Sequence, residues 1–182
     1  MTRRAVFLDL DGTVIEDTKY LSRAADVRLI AGVGEAIARL NAAGMPVVIV
    51  SNQSGIGRGY FTLEDFDRVQ ARVAELLAEC GARVDAIYIC PHAPDATPPC
   101  ECRKPGALLF RRAAADHDLD LARSWYIGDR WRDVEPGLTL GGHVALVPAD
   151  STPADELQRA RDADLEAHSL ADVVGRVLAA DN

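Results

Sequence analysis

The chain has 182 residues, 48% of them hydrophobic, enough to bury one good core, so a single domain over 1–182 is the expectation. Its formal net charge of −8 argues against nonspecific nucleic-acid binding, which draws on clustered Lys and Arg, but allows a small phosphate ester to bind locally. No run of about 18 apolar residues occurs and no hydrophobic signal region precedes the first strand, so a cytoplasmic protein without membrane or nucleic-acid partners, monomeric by default, is expected.

The apolar run 5–8 reads as a buried strand that delivers two carboxylates, Asp9 and Asp11, onto the turn Asp11-Gly12-Thr13. Asp9 lies between Leu8 and Leu10, and a buried carboxylate is strongly disfavoured unless it meets a metal, a cation or several donors. A hairpin is the plainer reading of Asp-Gly, but no partner strand follows at hairpin distance. Residues 16–29 are polar and irregular, a loop or flap marked by Asp17 and Tyr20. The stretch 33–43 reads as a helix with Ile37 and Leu40 on one face and Gly44 as its stop. Pro46-Val47-Val48-Ile49-Val50 suits a strand covered on both faces, and it runs into the polar, Gly-rich loop 51–59.

Thr62-Leu63-Glu64-Asp65 caps a long helix reaching about residue 79, with Phe66, Val69, Val73, Leu76 and Leu77 at helical spacing. Cys80 beyond it reads as a small core residue. Further strands are expected at 84–89, 125–127 and 143–147, with a last edge strand at 164–166. Helices are expected at 105–117 with Leu108, Leu109 and Ala113 inward, at 132–140 despite Pro136, at 153–163 and at 170–179. Such repeated strand and helix units imply an α/β fold: a three-layer, Rossmann-like parallel sheet with helices on both faces. The loops at the carboxyl ends of its strands should gather a ligand site. They leave no room for a large cap domain.

One loop stands apart. Between residues 90 and 102, Cys90, His92, Cys100 and Cys102 pair as Cys-x-His and Cys-x-Cys across a Pro-rich insertion, a natural tetrahedral set for structural Zn²⁺. A disulfide between Cys100 and Cys102 is geometrically awkward, and no helix or base is arranged to activate a nucleophilic thiol. The loop has little apolar content, so a metal could supply its missing folding energy and fix Arg103 and Lys104 close by.

Taken in order, a strand ending in Asp9-Leu10-Asp11-Gly12-Thr13, one ending in Ser51-Asn52, Lys104-Pro105 opening a helix, and Gly128-Asp129-x-x-x-Asp133 after a strand resemble the haloacid dehalogenase-like phosphohydrolases. The likeness spans residues 5–147. It implies a Mg²⁺-dependent phosphomonoester hydrolase with Asp9 as nucleophile and Asp11 as general acid and base. Mg²⁺ would rest on Asp9, the Asp11 carbonyl and Asp129, with Asp133 behind them and Ser51 and Lys104 on the nonbridging oxygens. The zinc loop narrows the likeness to the heptose bisphosphate phosphatase and histidinol-phosphatase branch. Asp17-x-x-Tyr20, Ser51-Asn52-Gln53-Ser54-Gly55-Ile56-x-Arg58-Gly59 and Cys90-Pro91-His92 lean toward the former, while the short loop between His92 and Cys100 is closer to the latter. Leu10 stands where Arg is common in this branch, and Arg130 where Lys often follows the second metal-binding aspartate.

The implied substrate is a small phosphorylated metabolite, such as a sugar bisphosphate. Asp17, Tyr20, Asn52 and Gln53 fall on its side of the site, and Arg58, Arg103 and Arg130 are candidates for a second anionic group. A receiver-like module phosphorylated on Asp9 is the reading from another class. Asp11 separates the two, because a long-lived aspartyl phosphate has no use for an acid and base beside it.

Overall fold

The computed structural model describes residues 2–180. Strand β1 (Val6–Leu8) is central; β2 (Val47–Asn52) flanks it on one side and β4 (Trp125–Gly128) on the other, with β3 (Ala86–Cys90) and β5 (His143–Leu146) at the edges. Every pairing is parallel, with Val6, Val47 and Trp125 in register across the centre. The helices are α1 (Val33–Ala42), the one-turn α2 (Ser54–Gly57), α3 (Leu63–Glu79), α4 (Leu108–His117), α5 (Trp131–Leu140), α6 (Ala154–Asp162) and α7 (Leu170–Ala179).

Alternation along the strands divides the core. Val6 and Leu8 with Val47 and Ile49 meet Ile37 and Leu40 of α1, Phe66 and Val73 of α3, and Val174 and Val177 of α7. Ala5 and Phe7 with Val48, Val50 and Tyr126 face the other way, onto Leu109, Phe110 and Ala113 of α4. There Phe7 stacks on Tyr126 at 5.0 Å and meets Phe110 edge-on at 5.3 Å. Each such side chain contributes about 1.5–3 kcal/mol on burial, and sandwiching β1 between two apolar layers fixes the strand that carries Asp9.

Several boundaries differ from the sequence reading for identifiable reasons. β2 runs on through Ser51 and Asn52, because these residues pair with Ile89 and Cys90 of β3. The loop 51–59 contains α2, and α4 starts at Leu108 rather than 105. Leu108 is exposed, and Phe110 takes the inward place beside Leu109 and Ala113. Pro136 lies buried in the second turn of α5, where it forgoes the amide bond to the Arg132 carbonyl. The 164–166 strand reduces to one bridge, Leu146 to Glu166. Cys80 is exposed at the end of α3, because the chain turns away there at Gly81 with φ +70°. Between β1 and α1 lies only the flap, its stem held by the antiparallel bridge Ile15 to Leu29, and no large cap is present among the described residues. No helix among the described residues is long and apolar enough to cross a membrane.

Candidate active site and metal cluster

The carboxyl ends of β1 and β4 bring Asp9, Asp11, Asp129 and Asp133 together around Lys104. Asp9 is 6% exposed, Asp129 2% and Asp133 3%. Oxygens of these three lie within 4.8 Å of one another. The close approach depends on Gly12: its φ is +84°, and a Cβ there would sit 2.8 Å from the Asp129 carboxyl carbon.

Burial, and after it the charge of Asp133, pushes the Asp9 carboxyl up against the pull of Lys104. Asp129 is raised to about 8 by burial first, then by Asp9 and Asp133. Four carboxylates facing one buried ammonium, with Arg132 only at the edge, 3.9 Å from Asp133, leave an excess of negative charge that a divalent cation would relieve. The residues fit that requirement. Asp129 Oδ1 is buried without a partner among the described residues, and hard carboxylate oxygens suit Mg²⁺. Both oxygens of Asp133 are already engaged, Oδ1 paired with Lys104 Nζ at 2.8 Å and Oδ2 accepting from the Arg130 amide at 3.0 Å.

Lys104 is 3% exposed, and its ammonium reaches three acceptors: Asp9 Oδ1 at 2.7 Å, Asp133 Oδ1 at 2.8 Å and the Val50 carbonyl at 2.6 Å. Burial works to lower its pKa, but Asp133 and Asp9 outweigh that and raise it. Gln53 Nε2 donates to Asp11 Oδ2 at 2.7 Å and to Ser51 Oγ at 2.9 Å. Because Ser51 Oγ accepts that bond, its own hydrogen is left to donate. Asp11 is raised to about 7, by burial first and the Asp9 charge second, with Gln53 opposing.

The Cys and His side chains also converge. Cys90 Sγ lies 3.1 Å from Cys102 Sγ and 3.6 Å from both Cys100 Sγ and His92 Nδ1; His92 Nδ1 is 3.2 Å from Cys102 Sγ. These separations are far longer than a disulfide bond of about 2.05 Å. They come close to the edges of a tetrahedral zinc site, where sulfurs about 2.3 Å from the ion stand roughly 3.8 Å apart. Burial pushes the Cys90 thiol up to about 12, so a thiolate there calls for a cation. The group can hold a metal. The loop is braced from α2, where the Gly57 amide donates to the Pro91 carbonyl at 2.8 Å. A Cβ on Gly57 would meet that oxygen at 2.7 Å.

Other expected site residues have different neighbours. Asn52 binds the backbone of Lys104. Arg130, expected on the substrate, is paired with Glu156 of α6 at 3.2 Å, because Glu156 also accepts from the Trp131 amide at the start of α5. Asp17 Oδ1 accepts from the Lys19 amide at 2.9 Å, forming a local turn in the flap. Tyr20 meets Tyr60 edge-on at 4.8 Å. Arg58 reaches Asp95 at 3.8 Å, and Arg103 donates to the His92 carbonyl at 3.4 Å. A cavity of about 670 Å³ opens beside Gly12 and Thr13, between the flap and the loop after β5, but neither Asp9 nor Lys104 lines it. Sequence reasoning missed Thr152, whose hydroxyl donates to the Asp129 carbonyl at 2.8 Å, and Glu156; both lie over twenty residues from their partners and carry no local signal.

Residues 101–173 match the HAD-hydrolase-like family model. The chain is 41% identical over 138 residues to a D-glycero-beta-D-manno-heptose-1,7-bisphosphate 7-phosphatase of Helicobacter pylori, covering 75% of this chain and 78% of that one. It is 37% identical over 179 residues to the enzyme of that name from Haemophilus ducreyi, covering 96% and 98% of the two chains. Among solved structures, D,D-heptose 1,7-bisphosphate phosphatase from B. bronchiseptica, complexed with magnesium and phosphate, superposes with a TM-score of 0.84 at 31% identity, covering 96% of this chain and 98% of that one.

Proposed function

Because the chain belongs to the D-glycero-D-manno-heptose-1,7-bisphosphate 7-phosphatase family of haloacid dehalogenase-like hydrolases, we propose that it removes the 7-phosphate of that heptose bisphosphate through an aspartyl phosphate on Asp9. One observation carries the chemistry: Asp9, buried and gripped by Lys104, stands beside a second carboxyl, Asp11, whose proton affinity is raised to about 7. A carboxylate oxygen of Asp9 attacks phosphorus, the ester P–O bond breaks, and Asp11 gives its proton to the departing alkoxide. Asp11, now a carboxylate, takes a proton from water as that water's oxygen attacks phosphorus. The bond from phosphorus to Asp9 breaks and phosphate leaves. A group titrating near 7 is suited to both halves of the cycle.

Lys104 and the Ser51 hydroxyl stabilise charge on the nonbridging oxygens, and Gln53 holds Asp11 and Ser51 at a fixed spacing. A magnesium ion held by Asp9, the Asp11 carbonyl and Asp129 supplies further charge neutralisation when bound. Cys90, His92, Cys100 and Cys102 would hold zinc, which would keep the loop ahead of Lys104 ordered. Arg58 and Arg103, which reach Asp95 and the His92 carbonyl of that loop, are candidates for the substrate's second phosphate.

Phosphate release from a panel of the heptose 1,7-bisphosphate, other sugar phosphates and histidinol phosphate tests the reading. The heptose bisphosphate should give the highest kcat/KM, with the 1-phosphate retained. Preference for histidinol phosphate would move the chain to the neighbouring activity, and a stable phosphoprotein without turnover would favour the receiver.

A further inference from the structure

Asn52 lies at the end of β2, where a side chain on the substrate side of the site would be expected to touch the substrate. Its amide is turned instead to another stretch of the chain, fifty-two residues away. Nδ2 donates to the Lys104 carbonyl at 3.1 Å, and Oδ1 accepts from the Lys104 amide at 2.9 Å. One side chain thus brackets one residue's main chain from both ends, as a neighbouring strand would. The same strand grips Lys104 a second time, since the Val50 carbonyl accepts from Nζ at 2.6 Å. Lys104 belongs to the irregular segment between β3 and α4 and has no helix or strand of its own. The end of β2 is the template on which it is laid.

We propose that Asn52 is a positioning residue: its amide sets the height of the Lys104 main chain, so that the ammonium lands between Asp9 and Asp133. The inference rests on the reading of Lys104 as a phosphoryl-binding group given above. With both polar atoms of the amide engaged, Asn52 acts on the reaction through Lys104. A shift of the Lys104 backbone by a fraction of an ångström would break three short contacts at Nζ together.

The test is a double-mutant cycle with Asn52→Ala and Lys104→Ala, read as kcat/KM on a phosphomonoester such as p-nitrophenyl phosphate, together with labelling of Lys104 by an amine-reactive reagent. Asn52→Ala in the native background should lower kcat/KM about 10- to 100-fold, as loss of a group supporting a catalytic residue commonly does. In the Lys104→Ala background the same substitution should change it by less than about threefold, because the group it positions is gone. Lys104, shielded in the native protein, should label faster in Asn52→Ala. Asn52→Asp keeps the acceptor but loses the donor, and should fall between native and Asn52→Ala on both measures. Equal losses from Asn52→Ala in both backgrounds, or unchanged labelling, would overturn the proposal and return Asn52 to substrate contact. Full activity in Lys104→Ala would defeat the reading of Lys104 itself, and the labelling rates would still show whether Asn52 holds it.

Discussion

The protein gathers ligand-type side chains in two places and builds them differently. The carboxylate cluster stands on strand ends in the middle of the sheet: Asp9 follows β1, Asp129 follows β4, and both are buried. Its shape comes from the sheet register, from Gly12 and from Lys104, none of which needs a metal. The Cys and His cluster lies beyond an edge strand, in a Pro-rich loop where only Cys90 belongs to a regular element. Besides the braces from α2, the bond from Arg103 to the His92 carbonyl and the packing of Cys100 and Cys102 on the core, that loop is drawn together by the convergence of its own four side chains. The difference teaches a division of labour: strand ends and a buried ammonium shape the first cluster, whereas the second is gathered by a loop whose ligand-type side chains converge on one another.

The contrast can be broken most forcefully at Asp9. Asp9→Asn should lower kcat by about 10⁴-fold or more while the protein melts no earlier, since a buried carboxylate raised by its surroundings is replaced by a neutral group. Substantial turnover in that variant would remove Asp9 as nucleophile. Next in size, Cys102→Ser or stripping of zinc should reduce turnover about 10- to 100-fold and open the 91–107 segment to proteolysis. A stripped protein that kept both its protease resistance and its activity would show that the loop is ordered without metal, and the contrast would collapse.

A smaller effect sharpens the account of the first cluster. Asp129 is raised to about 8, so the folded state retains a proton that the unfolded chain has released above about pH 4. The metal-free fold should therefore lose stability as pH rises from about 4 to about 8. Mg²⁺ bound there would offset the buried charge, so its addition should raise Tm more at about pH 8 than at about pH 5.5. A gain independent of pH would place the ion elsewhere. Smallest in its effect on turnover, Thr152→Val removes the hydroxyl that donates to the Asp129 carbonyl and accepts from the Ala149 amide, each bond worth about 1 kcal/mol, and should lower Tm by about 4–8 °C with a less than tenfold change in kcat. No change in either would show that the loop after β4 is held without the Thr152 hydroxyl.

The two regions also differ in how plainly the sequence announced them. Asp9 and Asp11 were legible because carboxylates after an apolar run contradict burial unless something pairs with them, and the four zinc-type ligands because their spacing is compact. The alternation of strand and helix gave the parallel sheet, as the apolar periods were clear. What escaped depended on tertiary partners. Gly55 and Gly57 make Ser54–Gly57 a poor helix former, and the turn exists because the zinc loop and Phe61 pack on it. Asn52 and Arg130 read as substrate-side residues, and Thr152 and Glu156 carried no signal. Each is defined by a bond to a group more than twenty residues away, which no local pattern encodes.

The most direct test of the mechanism is to catch phosphate on Asp9. In Asp11→Asn, attack on p-nitrophenyl phosphate needs no acid because nitrophenolate leaves unprotonated, whereas hydrolysis of the intermediate lacks its base. Acid quenching and peptide mass spectrometry of that variant should find phosphate on the peptide carrying Asp9, and none when Asp9 is also changed to Asn. Release of nitrophenol with no phosphopeptide, or phosphate on any other residue, would contradict the account.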